Sequence, residues 1–597
     1  MSKVKNFIDN ITHNIKTTIV RFPITLTFLV LMTAIMFILI EDSSLFDENV
    51  LSRFMFAGIF GAFLSITVRF LLERFENINK YNLFLHGLTV IITIGYYFFM
   101  TDNEVTNYTL IHLLVISFAL FAAYLYLPSA KNAVNFGNVA LAHFKAAFTS
   151  ILYGAVLYLG IAAILGAVDI LLYDINYKLY SHGANIVFVF FTPLYYLSLL
   201  PEFNSNTDDS KKDISYVYPK FLDILVSYIA IPLIGAFSGV LIIYFIKILL
   251  TGVWPVGQVG PMVLGYSAAG YFIYILSSNL TNGFSINFRR VFPVVLIPLV
   301  LMQLISSYIR IEAYGITESR YYVVLFGIFS IVCALMLLLG KRKNPNAIVL
   351  LSAFFALISI IPPIDAFNVS KNSQQARLEE ILIRNDMLAG NKIVRKSDLS
   401  GDDKYEITNI SNYMYRMGYL YDMPWYPNLD NDENYYADFK NIYGFEQYYD
   451  REYTDQKDKS YINAYLDENE AINIEEFDVL VKITAHSKSS SSGKIGNFTL
   501  EGRNYILHSD YDKKGNLTIS VFENDNIIIE VSMKEFIEEL FEKANENKLV
   551  MNQENLTVEK QNDKLKIKIL INNINADIYD PDNMYFYMDA FVFVSAP

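Results

Sequence analysis

The stretch KFLDILVSYIAIPLIGAFSGVLIIYFIKILLTGVWPVGQVG, residues 220–260, is the longest nearly uninterrupted apolar segment and indicates the architecture of the chain. Its apolar run is longer than the roughly 20 residues that a helix needs to cross the hydrocarbon core of a membrane. A helix that is apolar on every side over this length requires a bilayer or a very large core around it. Pro232 interrupts the run and predicts a kink, because proline removes one backbone hydrogen bond.

Comparable apolar runs lie on both sides of this stretch, at residues 24–40, 52–72, 82–100, 107–127, 147–171, 184–200, 222–250, 261–277, 291–309, 321–340 and 347–363. The sequence therefore predicts an α-helical polytopic membrane bundle of about eleven transmembrane helices. The runs end at Ile-Pro-Pro-Ile, residues 361–364.

The chain changes in character at this point. From Asp365 onward it contains 42 acidic and 25 basic residues, a net charge of −17, whereas the preceding part carries +4. An acidic water-soluble part argues against nucleic acid as a partner, because lysine and arginine drive phosphate-backbone binding. Alternating apolar residues after Phe477 predict strands. We therefore expect a soluble α+β domain with a mainly antiparallel sheet.

The predicted domains are an amphipathic N-terminal segment (1–20), a transmembrane domain (21–363), a helical and Tyr/Asp-rich linker region (364–470) and the α+β soluble domain (471–597). Within the last two, helices are predicted at 370–388, 407–420 and 533–545, and hairpin turns at 513–516 and 523–526.

Short-loop charges predict the orientation. Lysine and arginine follow the even-numbered spans, and acidic residues follow spans one and three. By the positive-inside rule the N-terminus is cytoplasmic, and an odd number of spans places the C-terminal domain outside. A miscount by one span would reverse the side of that domain. The single cysteine, Cys333, excludes an internal disulfide and a cysteine-based metal site, and we expect no metal and no cofactor.

Five segments resemble, in a consistent order, a bacterial polytopic membrane family described as domain of unknown function 4153. They are RFPITLTFLVL (21–31), WPVGQVGPMVLGYSAAGYFIY (254–274), RIEAYGITESRYYVV (310–324), SQQARLEEILIRNDMLAGNKIV (373–394) and ENLTVEKQNDKLKIKILINNIN (554–575). The resemblance implies an architecture and no chemistry, since the family carries no established activity, substrate or catalytic residues.

The connection between spans nine and ten is the first candidate site. Its charged residues and a neighbouring indole predict a pocket for an anionic headgroup, formed by Trp254, Arg310, Glu312, Glu318 and Arg320. Arginine presents a planar fork that suits phosphate or carboxylate. The alternative is that these charges pair locally while the aromatic residues form an interfacial belt.

Asp169 and Lys247 are candidate intramembrane polar residues. Charges at membrane depth often mark a solute path, and both lie near the ends of their spans. The alternative interpretation is that Asp169 lies in the interface and Lys247 snorkels to it.

The soluble part offers a candidate aromatic surface at Trp425, Tyr426, Tyr435 and Tyr436, which could stack on sugars of the envelope. The alternative is packing within the domain or against the bilayer. Residues 430–434 resemble the start of a calcium loop but lack its later glycine and glutamate, so no metal site is expected there.

These patterns predict an integral membrane protein of the bacterial cell envelope with an external soluble domain and a binding, sensing or envelope-assembly role. Its expected partners are the lipid bilayer and envelope polysaccharide or lipid-linked headgroups. No motif indicates an enzyme. Two alternatives stay open: a transporter or permease for a small or anionic solute, and a membrane glycosyl- or phosphotransferase acting on a lipid-linked substrate.

Overall fold

The computed structural model describes residues 14–41, 47–100, 107–203, 215–252, 254, 259–340, 345–426, 435–449, 461–466, 471–486, 493–511, 517–524, 526–544, 550–580 and 583–596. The chain divides into two compact units, Met1–Arg377 and Leu378–Pro597. Most of the predicted N-terminal amphipathic segment and the calcium-loop-like residues 430–434 lie outside the described residues.

The first unit is built from apolar helices. Within the described residues, ten are long and apolar enough to cross a membrane: α1 (Pro23–Glu41), α2 (Glu48–Arg74), α3 (Asn82–Phe99), α4 (Asn107–Tyr126), α5 (Phe136–Leu171), α6 (Lys178–Leu199), α7 (Lys220–Thr251), α8 (Val259–Leu276), α9 (Gly283–Tyr314) and α10 (Glu318–Leu339). This confirms the predicted polytopic bundle and makes the chain a multi-pass membrane protein.

The eleventh predicted span is only partly helical. Helix α11 (Asn346–Ile358) has 13 residues, about 20 Å at 1.5 Å per residue. The chain then continues in i→i+3 turns, in which Ser359, Ile360 and Ile361 each donate to the carbonyl three residues earlier. Such turns rise by about 2.0 Å per residue, so they lengthen the segment beyond the helix. Its far end reaches the start of α10, where the Tyr321 hydroxyl donates to the carbonyl of Ile364 at 2.6 Å.

Two of the long helices contain a π-helical turn, Asn185–Phe191 in α6 and Leu225–Ala230 in α7. The turn in α7 ends just before Pro232, which cannot donate a backbone hydrogen bond. A π-turn is one of the identifiable causes of helix bending. The kink predicted at this proline stays a prediction, and the structure has a π-turn just before it.

Hydrogen bonds gather the segment before α1 and the connections after α2, α4, α6 and α8 at one end of the bundle. They run from Arg21 to the carbonyls of Leu200 and Pro201, from Arg74 to that of Ala130, from Lys145 to those of Ser215 and Val217, and from Asn279 to the side chain of Asn138.

A second set of contacts joins connections at the opposite end. Glu41, at the end of α1, accepts a hydrogen bond from His182 at the start of α6, at 2.6 Å. The Tyr108 ring at the start of α4 lies 4.8 Å from the ring of Phe367. Phe367 belongs to α12 (Ala366–Arg384). Helix α12 therefore begins at the end of the bundle opposite the segment that precedes α1.

The second unit contains twelve described strands. They are β1 (Leu388–Ala389), β2 (Lys392–Ile393), β3 (Tyr461–Leu466), β4 (Val479–His486), β5 (Gly493–Leu500), β6 (Arg503–Tyr511), β7 (Leu517–Glu523), β8 (Asn526–Ser532), β9 (Val550–Met551), β10 (Thr557–Gln561), β11 (Lys566–Asp580) and β12 (Asn583–Ser595). One sheet has the order β4-β12-β11-β3-β9 with β10 also paired to β11, another has the order β5-β6-β7-β8, and β1 pairs with β2.

The sheets confirm the mainly antiparallel prediction, since only β3 and β9 pair in parallel among the described strands. On β11, Ile567, Ile569 and Ile571 are fully buried in the core of this unit, as the two-residue period of a strand requires. Glu523 and Asn526 close the β7–β8 hairpin, as predicted, whereas the predicted turn at 513–516 is outside the described residues.

The remaining helices of the second unit are α13 (Gly401–Arg416), α14 (Tyr435–Tyr443) and α15 (Lys534–Ala544). Helix α13 begins six residues before its predicted start, because Ser400 caps it by accepting from the amide of Asp403. The predicted domain boundaries stay a prediction.

Candidate functional site

An apolar groove of about 840 Å³ lies between α7, α8 and α9. Its walls are mostly branched aliphatic and aromatic side chains, among them Ile231, Ile234, Ile242, Val291 and Val295. We refer to this cavity as the α7–α9 groove. Its α9 wall runs from Gly283 to Val295, which is about 18 Å of helix.

Two glycines keep the α7 wall open. Gly235 and Gly239 lie one turn apart, and a Cβ atom built on either has no heavy atom within 4 Å. Tyr228 and Phe284 stand at the groove end near the start of α9, with ring centroids 5.4 Å apart. These two rings are 54% and 52% exposed, so the groove opens on the outer surface of the bundle, where a membrane supplies lipid.

Two polar side chains inside the groove bind each other, whereas Asn287 on the α9 wall and Tyr228 are exposed. Ser238 Oγ lies 2.8 Å from the Tyr266 hydroxyl and donates to the carbonyl of Ile234 at 2.7 Å. Among the described residues, no carboxylate, ammonium or guanidinium group lines the groove. The groove therefore suits a long uncharged apolar ligand segment better than an ion or a polar solute.

A buried hydrogen-bond network fixes the end of the groove. The side-chain amide of Asn282 donates to Ser227 Oγ at 2.6 Å and to the Asp223 carboxylate at 3.1 Å. Its oxygen accepts from the amide of Ser285 and so caps α9. Ser227 Oγ also lies 3.2 Å from Ser285 Oγ. The network joins the start of α7 to the start of α9 and holds the groove walls in register.

Arg320 of the predicted headgroup pocket binds backbone carbonyls. Its Nη1 donates to Tyr314 O at 3.0 Å and to Gly315 O at 2.7 Å, which caps the C-terminus of α9. Gln374 of α12 donates to the same Tyr314 carbonyl at 3.0 Å, and Arg377 donates to Ala313 O. Gln374 and Arg377 therefore fasten the α9–α10 connection to α12, and Arg320 holds the carbonyls of that connection.

The other predicted members of that pocket are three charged residues close to the α9–α10 connection and one tryptophan that packs against the helix core. Arg310 is half-buried and Glu312 exposed in the last turns of α9, and Glu318 begins α10. Trp254 is partly buried against the apolar core of α7–α10. None of these residues lines the α7–α9 groove. Their role in binding an anion stays a prediction.

Asp169 and Lys247 are both exposed near the ends of their helices. Asp169 accepts a hydrogen bond from the amide of Ile175 at 2.8 Å and closes the turn after α5. Lys247 lies in the last two turns of α7. Neither residue lines the groove, and their predicted intramembrane role stays a prediction.

Three of the four predicted surface aromatics are buried in the second unit. Trp425 donates to Glu379 at 2.8 Å, Tyr426 is buried, and Tyr435 donates to Asn412 at 2.9 Å. Burial raises the pKa of Tyr435 well above its usual range. Tyr436 is 56% exposed and is the member of the four with a ring accessible for stacking on a sugar.

Sequence reasoning did not identify the groove. Its sequence signal is modest: Gly235, Ser238 and Gly239 place small residues on one face of α7, close to Pro232. Such a face can equally receive a neighbouring helix, so the sequence alone could not distinguish a packed interface from an open one.

The whole α7–α9 region falls within residues 26–392, which match the family described as Domain of unknown function (DUF4153). The match covers more than half of the chain. This chain belongs to the DUF4153 family. The resemblance noted in the sequence is thus confirmed, and the matched region includes the groove and the α9–α10 connection.

One relative of this DUF4153 chain is described as an uncharacterized protein from Pasteurella multocida (strain Pm70). The two are 26% identical over 388 residues, which is 63% of this chain and 62% of the relative. The chain thus matches less than two thirds of that relative's length. No solved structure matches the chain.

Proposed function

We propose that this DUF4153 protein is a cell-envelope membrane protein that binds a lipid, holding one apolar chain of it in the α7–α9 groove. The observation that carries the proposal is the groove itself: an elongated cavity of about 840 Å³ between membrane-spanning helices, with apolar walls. Cavities of this size are within the usual range for small-molecule ligands.

The groove geometry favours a chain over a compact solute. It begins at the first turn of α9 and extends about 18 Å along that helix, from one end of the bundle towards its middle. Of its few polar side chains, Ser238 and Tyr266 bind each other, and Asn287 and Tyr228 are exposed. An apolar chain that leaves the bilayer for this groove loses no hydrogen bonds and gains contacts with close-packed walls.

The observations support the two alternatives less. A solute path requires polar or ionisable groups along its length, and a transferase acting on a lipid-linked substrate requires acidic or basic groups beside the reacting bond. The described lining of the groove contains no ionisable group apart from the Tyr228 and Tyr266 hydroxyls.

We further propose that the segment before α1 is cytoplasmic and that the second unit is external. Arg21, Arg74 and Lys145 take part in the contacts that gather one end of the bundle, and such cations favour the cytoplasmic side. Helix α12 begins at the opposite end. Single cysteines at Lys220 and Glu312, in a Cys333→Ser background, test this: an impermeant maleimide should label Glu312→Cys in intact spheroplasts and Lys220→Cys only after permeabilisation.

Lipid binding is tested by native mass spectrometry of the purified full-length protein. Gly239→Trp places an indole in the groove without meeting any atom within 4 Å of its Cβ. Gly160→Trp is the matched control, because Gly160 of α5 is equally open and lies outside the groove. Wild-type protein and Gly160→Trp should retain a bound lipid that Gly239→Trp loses.

Equal lipid retention by all three proteins would contradict the proposal. If Gly239→Trp instead shifted the oligomeric state and left lipid retention unchanged, the groove would be an interface with a second copy and the lipid would not be its occupant.

A further inference from the structure

A second cavity, of about 400 Å³, lies on another face of α9. It is lined by the loop before α5, the connection between α8 and α9, and the first turns of α9, and includes Asn135, Ser278, Asn279, Arg289 and Arg290. It shares no lining residue with the α7–α9 groove. We refer to it as the arginine cavity.

We propose that the arginine cavity is a binding site for a phosphate group, carried either by a soluble ligand or by a phospholipid headgroup. The inference does not rest on the lipid groove. Two guanidinium groups and no carboxylate line the cavity among the described residues. This imbalance favours an anion in a membrane protein region where most helices are uncharged.

The two arginines have different tasks. Arg289 donates through Nη1 to Ser277 O and through Nη2 to Leu280 O, so it anchors the α8–α9 connection and leaves other N–H donors for a ligand. Arg290 is exposed and follows it directly on the α9 surface. A planar guanidinium is the side chain best suited to bidentate recognition of phosphate.

One neutral donor adjoins the same cavity. The Oγ of Ser278 is buried and has no hydrogen-bond partner among the described residues, which is costly unless a ligand or water supplies one. Gly137 allows this close arrangement, because a Cβ built there would lie 2.5 Å from Ser278 Oγ.

The backbone adds a favourable field. The cavity includes Phe136 and Gly137, the first residues of the 36-residue helix α5. The N-terminus of a helix carries partial positive charge and attracts phosphate. The arginines, the Ser278 hydroxyl and this helix end, where Asn135 Oδ1 accepts from the amide of Gly137 at 2.8 Å, therefore border one cavity.

The test measures phosphate binding by the full-length protein in two settings. In detergent, inorganic phosphate is titrated by calorimetry. In nanodiscs, retention of phosphatidylglycerol is compared with that of phosphatidylcholine by native mass spectrometry. Arg290→Gln should weaken binding roughly tenfold or more, since a hydrogen bond to a charged group is lost together with the charge. The phosphate affinity of Arg290→Lys should lie between those of wild type and Arg290→Gln, because lysine keeps the positive charge but lacks the planar guanidinium group.

Lys220→Gln is the matched control, because it removes one exposed cation near the same end of the bundle and lines neither cavity. Saturable phosphate binding that depends on Arg290 identifies a soluble phosphate ligand. Selective phosphatidylglycerol retention that depends on Arg290 identifies a headgroup. If Arg290→Gln has no effect in either setting, or if Lys220→Gln has the same effect, the proposal is wrong. Arg290→Gln should still retain lipid in the α7–α9 groove. Failure of the phosphate proposal can therefore be distinguished from failure of the lipid proposal.

Discussion

Arg21 and Glu73 form a bidentate ion pair, from Nε to Oε1 at 2.7 Å and from Nη2 to Oε2 at 2.8 Å. Both side chains are more than 90% buried. Arg21 also donates to the carbonyls of Leu200 and Pro201, while Arg69 donates to Glu73 at 2.9 Å. One guanidinium thus connects the segment before α1, the end of α2 and the chain after α6.

We expect Arg21→Gln to destabilise the first unit by on the order of 3 kcal/mol, because the buried Glu73 carboxylate then keeps only Arg69 as a cationic partner among the described residues and the carbonyls of Leu200 and Pro201 lose their charged donor. Cys333 is buried and is the single cysteine of the chain, so a thiol-reactive dye reports unfolding directly. The thermal midpoint should fall clearly below that of wild type. Lys220→Gln, which removes an exposed cation, should leave the midpoint unchanged. Equal midpoints for both variants would show that the Arg21–Glu73 pair does not stabilise the unit.

The α9–α10 connection offers a test of packing. Gly252 has φ of +68° and ψ of 0°, a left-handed conformation in which alanine costs about 1–2 kcal/mol. Gly315 has φ of +69° and ψ of 179°, a conformation essentially restricted to glycine, so alanine is more strained there. A Cβ at Gly315 would also lie 2.7 Å from Arg377 Cδ and Gln374 Nε2, whereas one at Gly252 meets nothing within 4 Å. Gly315→Ala should therefore lower the dye-reported midpoint more than Gly252→Ala. Similar losses would contradict both the stronger backbone strain at Gly315 and its close contact with α12.

Two adjacent tyrosines in the second unit, one buried and one exposed, allow the stability effects of the same substitution to be compared. Tyr435→Phe removes a hydroxyl that donates to Asn412 at 2.9 Å and should cost about 1 kcal/mol, since the hydrogen bond is lost and its acceptor is partly buried. Tyr436→Phe changes an exposed ring and should be neutral. Hydrogen exchange in α13 and α14 should increase for the first variant alone; a matching increase for the second would contradict this.

The ion pair between Lys566 and Glu476 predicts a pH dependence. The Lys566 ammonium donates to the carboxylate at 2.7 Å, which lowers the pKa of Glu476 from 4.5 and raises that of Lys566 from 10.5. The contribution of Glu476 to stability is then fully present above its ordinary pKa and is lost as the pH falls through the lowered one. The contribution of Lys566 is lost only as the pH rises through its raised pKa.

Glu476→Gln should therefore lower the midpoint of the second unit at about pH 6 and approach wild type at about pH 3. Glu475→Gln, which changes a neighbouring exposed acid, is the control and should show no such convergence. A difference between Glu476→Gln and wild type that persists unchanged at the acidic pH would show that the pair is not its source.

Hydropathy was sufficient to predict the bundle, because a membrane demands length and apolar composition and little else. It predicted a full span at 347–363, whereas the helix ends at Ile358 and continues as tighter turns. The π-turn before Pro232 has no separate signature, since the residues around it are equally apolar.

The groove is open because, among the described residues, no side chain packs against the glycines of α7. The sequence alone does not show which residue packs opposite a given glycine. In α7, Gly235 and Gly239 face open space, whereas Gly270 in α8 lies directly against the ring of Phe292. The same residue type therefore makes an open wall in one helix and a close contact in the next. Likewise, Arg320 was predicted as an anion ligand, and the carbonyls of Tyr314 and Gly315 that it binds became visible only in three dimensions.

The most direct test of the account maps where a lipid chain lies. A phospholipid with a diazirine on its acyl chain is incorporated with the full-length protein into nanodiscs, activated by light, and its adducts are located by peptide mass spectrometry. If a lipid chain occupies the α7–α9 groove, adducts will be concentrated in residues 228–242 and 283–295. These adducts will be lost in Gly239→Trp but not in Gly160→Trp. Adducts spread evenly over outward-facing residues such as Leu83 and Phe84 of α3, unchanged by Gly239→Trp, would contradict it.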